Sequence, residues 1–140
     1  MNTPIIYYTK ESDLSVREFK QVLINSTLGE RRPINDPEHL FKMLKFSNMI
    51  VTARHDGRLI GVSRSLTDYA FCTYLSDLAV DVEYQLQGIG KELIRQTKLY
   101  APDAKLILLA APAAVSYYPR IGMTQHEFCY FLEEVNALKA

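Results

Sequence analysis

Gln85-Leu86-Gln87-Gly88-Ile89-Gly90 stands between a strand-like run, Tyr74-Leu75-Ser76-Asp77-Leu78-Ala79-Val80, and a helix-like run, Lys91-Glu92-Leu93-Ile94-Arg95-Gln96-Thr97-Lys98. A glycine-containing loop at a helix start aims several free backbone N–H groups at one point, and with the helix dipole those groups suit a pyrophosphate. Gly88 and Gly90 carry no Cβ, so a ligand can approach the backbone closely. No Gly-Lys-Ser/Thr follows, so nothing is placed to hold Mg²⁺ and a terminal phosphate. Position 85 is Gln, so the G-x-G-x-x-G dinucleotide fingerprint is absent too. The spacing points to a phosphate-bearing cofactor; the alternative is a plain strand–turn–helix junction with two turn glycines.

Working outward, residues 5–8 form a short β-rich run. Over residues 15–28, Val16, Phe19, Val22 and Leu23 recur near helical spacing, with Ser12, Asp13 and Ser15 as caps and Gly29 as the stop. Residues 29–35 read as a charged loop. Asp36-Pro37 opens a second helix whose apolar face is Leu40, Phe41, Leu44 and Met43. Strands follow at 49–54 and 58–64, joined by His55-Asp56-Gly57, a strong hairpin signal; Gly61 marks a bulge or a close backbone approach. A third strand leads from Phe71 to Val80, and a helix runs on to about Tyr100, ended by Ala101-Pro102. Residues 105–110 lack polar alternation and are expected as a central strand buried on both faces. Residues 113–120 read as a short helix and residues 126–132 as a final strand. That order predicts an α/β fold with a mixed sheet.

At 140 residues the chain is expected to form one domain, residues 1–140. Lys+Arg and Asp+Glu balance at 16 each, so no global positive field recommends nucleic acid or an anionic membrane as a partner. The longest apolar run, residues 106–115, is interrupted by Pro112 and is shorter than the roughly 20 residues a bilayer span needs. The first residues lack the basic and apolar segments of a secretion signal. Cys72 and Cys129 are expected as buried or half-buried thiols in strands rather than as a disulfide, and no metal-ligand spacing occurs. These features fit a cytoplasmic protein.

Residues 85–90 resemble the Q/R-x-x-G-x-G/A signature of the GNAT superfamily of N-acetyltransferases. Ala114-Val115-Ser116-Tyr117-Tyr118-Pro119-Arg120-Ile121-Gly122-Met123 resembles that family's A-x-x-F/Y-Y-x-x-x-G-F/M block. The two blocks are separated by a helix and an apolar strand, in the family's order. The resemblance covers residues 47–132 well and the first 46 in outline. It implies a single α/β domain with a mixed, mostly antiparallel sheet flanked by helices and splayed central strands.

The resemblance also implies acetyl-CoA as cosubstrate. The backbone of Gln85, Leu86, Gln87, Gly88, Ile89, Gly90 and Lys91 would hold its pyrophosphate. Leu78, Ala79 and Val80 would offer main-chain groups to the pantetheine arm, one of them polarising the thioester carbonyl, while their side chains pack. Ser116 and Tyr118 would also lie at the cofactor. Many members carry Asn three positions before the second block, where this chain has Ala111, which removes one pantetheine contact.

Acetyl transfer to an amine needs a polarised thioester, a deprotonated amine and a proton for the departing thiolate. Tyr118 matches a tyrosine often placed near the cofactor sulfur and is the expected acid. Asp77 resembles an acidic residue of glucosamine-phosphate acetyltransferases and is a candidate base. A water chain is the alternative, and Asp77 can equally pair with Arg64. Tyr74 occupies the strand position where histone acetyltransferases carry a glutamate base; without a bulge, alternation puts Tyr74 and Asp77 on opposite faces. Arg31 and Arg32 lie in the loop that lines the acceptor side and suit an anionic group there.

The expected activity is direct acetyl transfer, in a ternary complex, to a small primary amine. Residues 75–91 also resemble plant-type serotonin N-acetyltransferases, which suggests an arylalkylamine. The alternative is a non-catalytic acyl-CoA sensor on the same fold. Residues 128–132 are expected to mediate a homodimer, as C-terminal strands do in many family members.

Overall fold

In the computed structural model, which describes residues 3–140, local chemistry sets most element ends. Ser15 caps α1 (Val16–Asn25) by accepting from the Glu18 amide at 3.1 Å. Asp36 caps α2 (Pro37–Lys45) in the same way through the His39 amide, with Pro37 in the first turn. The residues after α1 form a 3₁₀ turn, Leu28–Arg31, that includes Gly29. β1 is Tyr7–Lys10, β2 is Met49–His55 and β3 is Arg58–Thr67. The β2–β3 connection places Asp56 at φ 49° and Gly57 at φ 81°. A two-residue turn with both φ values positive matches the twist of the flanking strands, which is why Asp-Gly reads as a hairpin.

β4 (Cys72–Val80) continues the antiparallel run, and the order across the sheet is β1-β2-β3-β4-β5. α3 (Ile89–Tyr100) carries the chain across to β5 (Lys105–Ile107), which pairs parallel to β4. The sheet is therefore mixed and mostly antiparallel, in an α/β fold. α1 and α2 bury Phe19, Val22, Leu23 and Leu40 against Ile50, Val62 and Ala79 on one face. α3 buries Ile89 and Leu93 against Met49, Val51, Ala53 and Ile60 on the other. Gly61 is a point of close approach: a Cβ there would meet Leu93 Cδ1 at 3.1 Å. It also adjoins a bulge, where the β2–β3 register shifts between Ala53 and Arg54.

A second bulge shapes β4. Arg64 pairs with Asp77 and the next residue, Ser65, with Leu75, leaving Ser76 as the extra residue. Ser63, bonded to Thr97 of α3, shares a face with Ser65. Leu75 accordingly faces α3, whereas Asp77, opposite Arg64, faces α1 and α2. Leu66 pairs with Tyr74 and lies on the Arg64 face. The bulge therefore brings Tyr74 and Asp77 onto one face, not the opposite faces of an unbroken alternation.

The chain divides into two compact units, the second being Ala110–Ala140. That unit holds a 3₁₀ turn, Pro112–Ala114, and α4 (Tyr117–Arg120). The helix expected over 113–120 is thus reduced, because Pro119 lacks an N–H and its ring opposes the carbonyl four residues earlier. Residues 126–132 form no strand, and Phe128, Tyr130, Phe131 and Leu132 are exposed. Alternating apolar residues supply a face but not the partner whose hydrogen bonds make a strand.

The run 105–110 is likewise strand only at Lys105–Ile107, at the sheet edge and partly exposed. It is not a doubly buried central strand. Cys72 and Cys129 are free thiols, but both are exposed, and Cys129 lies outside any strand.

Candidate active site

The 3₁₀ turn Val82–Tyr84 carries the chain from β4 into the glycine loop. Gln85 folds back and donates through Nε2 to the Val80 carbonyl at 2.9 Å, tying the loop to the end of the strand. Leu86 takes φ 65° and is fully exposed. A non-glycine residue there is uncommon, and no packing requires it. The loop's constraint is thus on its backbone path. Gly88 is the N-cap of α3 at φ 82°, and no side chain among the described residues caps this terminus.

The first intrahelical bond runs from the Glu92 amide to Gly88 O. The amides of Ile89, Gly90 and Lys91 precede it and have no partner within the helix. In front of Gly88 the space is open: a Cβ there would meet nothing within 4 Å. Uncapped amides, the positive end of a helix and open space together fit a pyrophosphate. Gln87 and Lys91 are exposed beside them.

β4 offers a second set of unpaired groups. Its last pair with β5 is Tyr74 with Ile107, and the strand then runs on through residues 75–80. On that edge, Leu78, Ala79 and Val80 have no strand neighbour among the described residues. Their side chains pack: Ala79 in the core under α1 and α2, Leu78 and Val80 against the core under α3. An extended arm laid along this edge would find free backbone groups leading toward the glycine loop.

On the α1/α2 face, Asp77 is completely buried between two arginines. Arg32 Nε donates to its Oδ1 and Arg64 Nε to its Oδ2, both at 2.5 Å. Arg32 Nη2 also donates to the Ser76 carbonyl, and Arg64 Nη2 to the Ser76 hydroxyl, both at 2.9 Å. Arg64 is fixed further by Ser47 Oγ and the Met43 carbonyl of α2. The pairing of Asp77 with Arg64 was legible in the sequence. The participation of Arg32 and Ser76 was not, since it depends on the bulge and on the 3₁₀ turn ahead of Arg32. Arg31 is exposed and gives its carbonyl to Arg32, and Tyr74 is half-buried.

In the second unit, Ser116 precedes α4 and its carbonyl accepts from Arg120 Nε. Tyr118 is half-buried, edge-on to Tyr117 with ring centroids 5.2 Å apart. Burial first, and the neighbouring Tyr117 second, push its phenol above the ordinary tyrosine pKa. Such a hydroxyl holds its proton throughout the neutral range. Ala111 ends the extended segment before the Pro112–Ala114 turn. Among the described residues no cluster of three or more His, Cys, Asp or Glu is arranged to hold a metal ion.

A family model described as Acetyltransferase (GNAT) family matches residues 17–123. Histone acetyltransferase TAP1 of Glycine max is 38% identical over 131 residues, which span 84% of this chain and 55% of that protein. The chain thus spans about half the length of this curated relative. The GNAT family acetyltransferase SP0256 of Streptococcus pneumoniae TIGR4 superimposes with a TM-score of 0.71 at 20% identity, over 94% of this chain and 98% of that one. An aminoglycoside acetyltransferase from an uncultured soil metagenomic sample gives a TM-score of 0.69 at 22% identity, over 93% and 96%. At these identities the two structures speak for the fold.

Proposed function

The chain belongs to the GNAT acetyltransferase family, and from that premise we propose that it moves an acetyl group from acetyl-CoA directly to a small primary amine. One observation carries the reading: the unpaired stretch of β4 leads straight into an α3 N-terminus that is uncapped and faces open space.

Acetyl-CoA supplies the acetyl group as an activated thioester. The amides of the 85–91 loop bind its pyrophosphate. The backbone of Leu78, Ala79 and Val80 aligns the pantetheine arm and polarises the carbonyl, with Ser116 and Tyr118 completing the cofactor side. Tyr118, kept protonated by its burial, gives its proton to the departing sulfur. Tyr74, Arg31 and Arg32 line the acceptor side. Both Asp77 oxygens are already engaged by guanidinium groups. We therefore assign Asp77 to holding those arginines and give the amine's proton to water.

The same reading puts the protein in the cytoplasm as a homodimer, with neither nucleic acid nor membrane as partner. The balanced charge supports the part of it that leaves out nucleic acid and anionic membranes.

The test is calorimetry with coenzyme A, followed by thiol release from acetyl-CoA with tryptamine, spermidine, free amino acids and a lysine peptide. Coenzyme A binding with release dependent on a small amine is expected. Binding with no amine-dependent release would instead favour an acyl-CoA sensor, and release with the peptide alone would move the acceptor to proteins.

A further inference from the structure

We infer that Arg32 is a positioning residue, which fixes the peptide plane at the Ser76 bulge so that β4 beyond it can meet the thioester. The inference rests on the acetyl-transfer reading above.

A bulge leaves the extra residue outside the ladder, and backbone polar groups shielded from water need partners. At Ser76 the partner is a side chain. The guanidinium of Arg32 presents Nε and Nη2 on one edge of a rigid plane, and two consecutive residues of β4 accept from that edge: Asp77 through Oδ1 and Ser76 through its carbonyl. A carbonyl oxygen and the next N–H share one peptide plane. Fixing Ser76 O therefore also fixes the direction of the Asp77 amide and the path into Leu78, Ala79 and Val80.

Arg64 holds the other side of the knot, through Asp77 Oδ2 and the Ser76 hydroxyl, and is itself anchored to α2. Its side chain is 7% exposed, against 23% for Arg32. Arg64 is thus the fixed jaw. Arg32, directly after the Leu28–Arg31 turn, is the jaw supplied by the acceptor-side loop.

Stability alone does not account for such a knot. Buried ion clusters are often no more stabilising than apolar residues of the same shape, and their best-attested use is to specify one arrangement. The fork geometry sharpens the argument. A lysine could match the charge of Asp77, but it is a point donor and lacks the planar two-pronged grip on Asp77 and Ser76 together.

The experiment compares the unmodified protein with Arg32→Lys and Arg32→Ala. Coenzyme A affinity is measured by calorimetry, and the carbonyl resonance of bound [1-¹³C]acetyl-CoA by NMR. In the unmodified protein the carbonyl resonance is expected to move downfield on binding. Arg32→Lys should keep the fold and the coenzyme A affinity while that resonance returns toward its free value. Thiol release should fall by up to about 10²-fold, the scale of one lost donor at a polarised carbonyl. Arg32→Ala should behave the same way; if it does not fold, Arg32→Lys alone decides.

A lysine variant with reduced melting temperature but the original carbonyl shift would show a merely structural role and overturn the inference. So would an unmodified protein that binds acetyl-CoA without moving the resonance. Failure of the unmodified protein to bind coenzyme A at all would instead overturn the acetyl-transfer reading.

Discussion

Gly88 combines two properties that make it the most exacting position in the loop: a φ of 82° and open space where a side chain would begin. A Cβ there would meet nothing in the protein within 4 Å. It would occupy the space in front of the α3 amides and would hold an L-residue in the left-handed region, at about 1–2 kcal/mol. Gly88→Val should therefore fold, as judged by circular dichroism, yet lose about 1–2 kcal/mol of coenzyme A binding, roughly five- to thirtyfold in Kd by calorimetry.

Tyr118 makes a different prediction. Its proton must be present to reach the sulfur, and burial raises its pKa. The rate should hold through the neutral range and decline only above the ordinary tyrosine value near 10. Tyr118→Phe should abolish that alkaline limb and lower kcat by about 10²–10⁴-fold with little change in coenzyme A affinity, if the proton transfer limits turnover. A folded Tyr118→Phe protein with near-original kcat on its preferred amine would refute the role.

Between elements, Arg54 of β2 is a second charged junction. It donates to Glu11 through Nε and Nη2 and to Glu18 of α1 through Nη1, tying the chain before α1 to the sheet. Thr52 adds a short hydroxyl contact to Glu11. These hydrogen bonds, Arg54's foremost, hold the Glu11 carboxyl below the usual range against the opposing effect of its burial. A carboxylate with a depressed folded pKa contributes stability above its unfolded pKa, and that stability is lost as pH falls through the folded value. Glu11→Gln should thus cost about 1–3 kcal/mol at pH 7. The cost should shrink toward zero in urea titrations below the usual glutamate pKa of about 4.3. An unchanged difference at low pH would show that the carboxylate's charge is not what matters.

The legibility of the elements divides along the same line. Asp36-Pro37 and Asp56-Gly57 declared a cap and a turn because the physics is contained in neighbouring residues. The glycine loop was legible for the same reason. The extent of β5 and the fate of residues 126–132 depend on distant partners that no local pattern encodes. The Ser76 bulge was hidden because the burial of Thr73, Leu75, Asp77 and Ala79 alternates straight through it, although these residues serve two different faces. Hence the Asp77–Arg64 pair could be anticipated, while the grip of Arg32 on the same strand could not.

For the whole molecule, one five-stranded sheet serves two cores, one under α1 and α2 and the other under α3. The C-terminal unit contributes exposed Phe128, Tyr130 and Phe131, at 72%, 90% and 75% of full exposure. Side chains of this kind are commonly covered by association. In the proposed homodimer, sedimentation should give a mass that rises to twice the monomer with concentration, and Phe131→Glu should hold it at the monomer. A monomer mass at every concentration would remove the dimer.

Ser76 makes the length of β4 as informative as its composition. A strand with an added residue behaves like a crystal row with a dislocation: everything beyond the defect is out of phase with everything before it. Substitution at Ser76 would leave that phase intact. Deletion would let Leu75 and Asp77 follow one another in ordinary alternation, so every residue on to Val80 would keep its face and only the defect, with the carbonyl that Arg32 grips, would be lost. The damaging change is to keep the residue and lose the defect: with Ser76 drawn into the ladder, Asp77 would turn into the apolar layer beneath α3 and Leu78 toward two stranded guanidinium groups. The count of residues in this segment and the presence of the defect are therefore tied, and descendants of this chain can lose both together more easily than either alone.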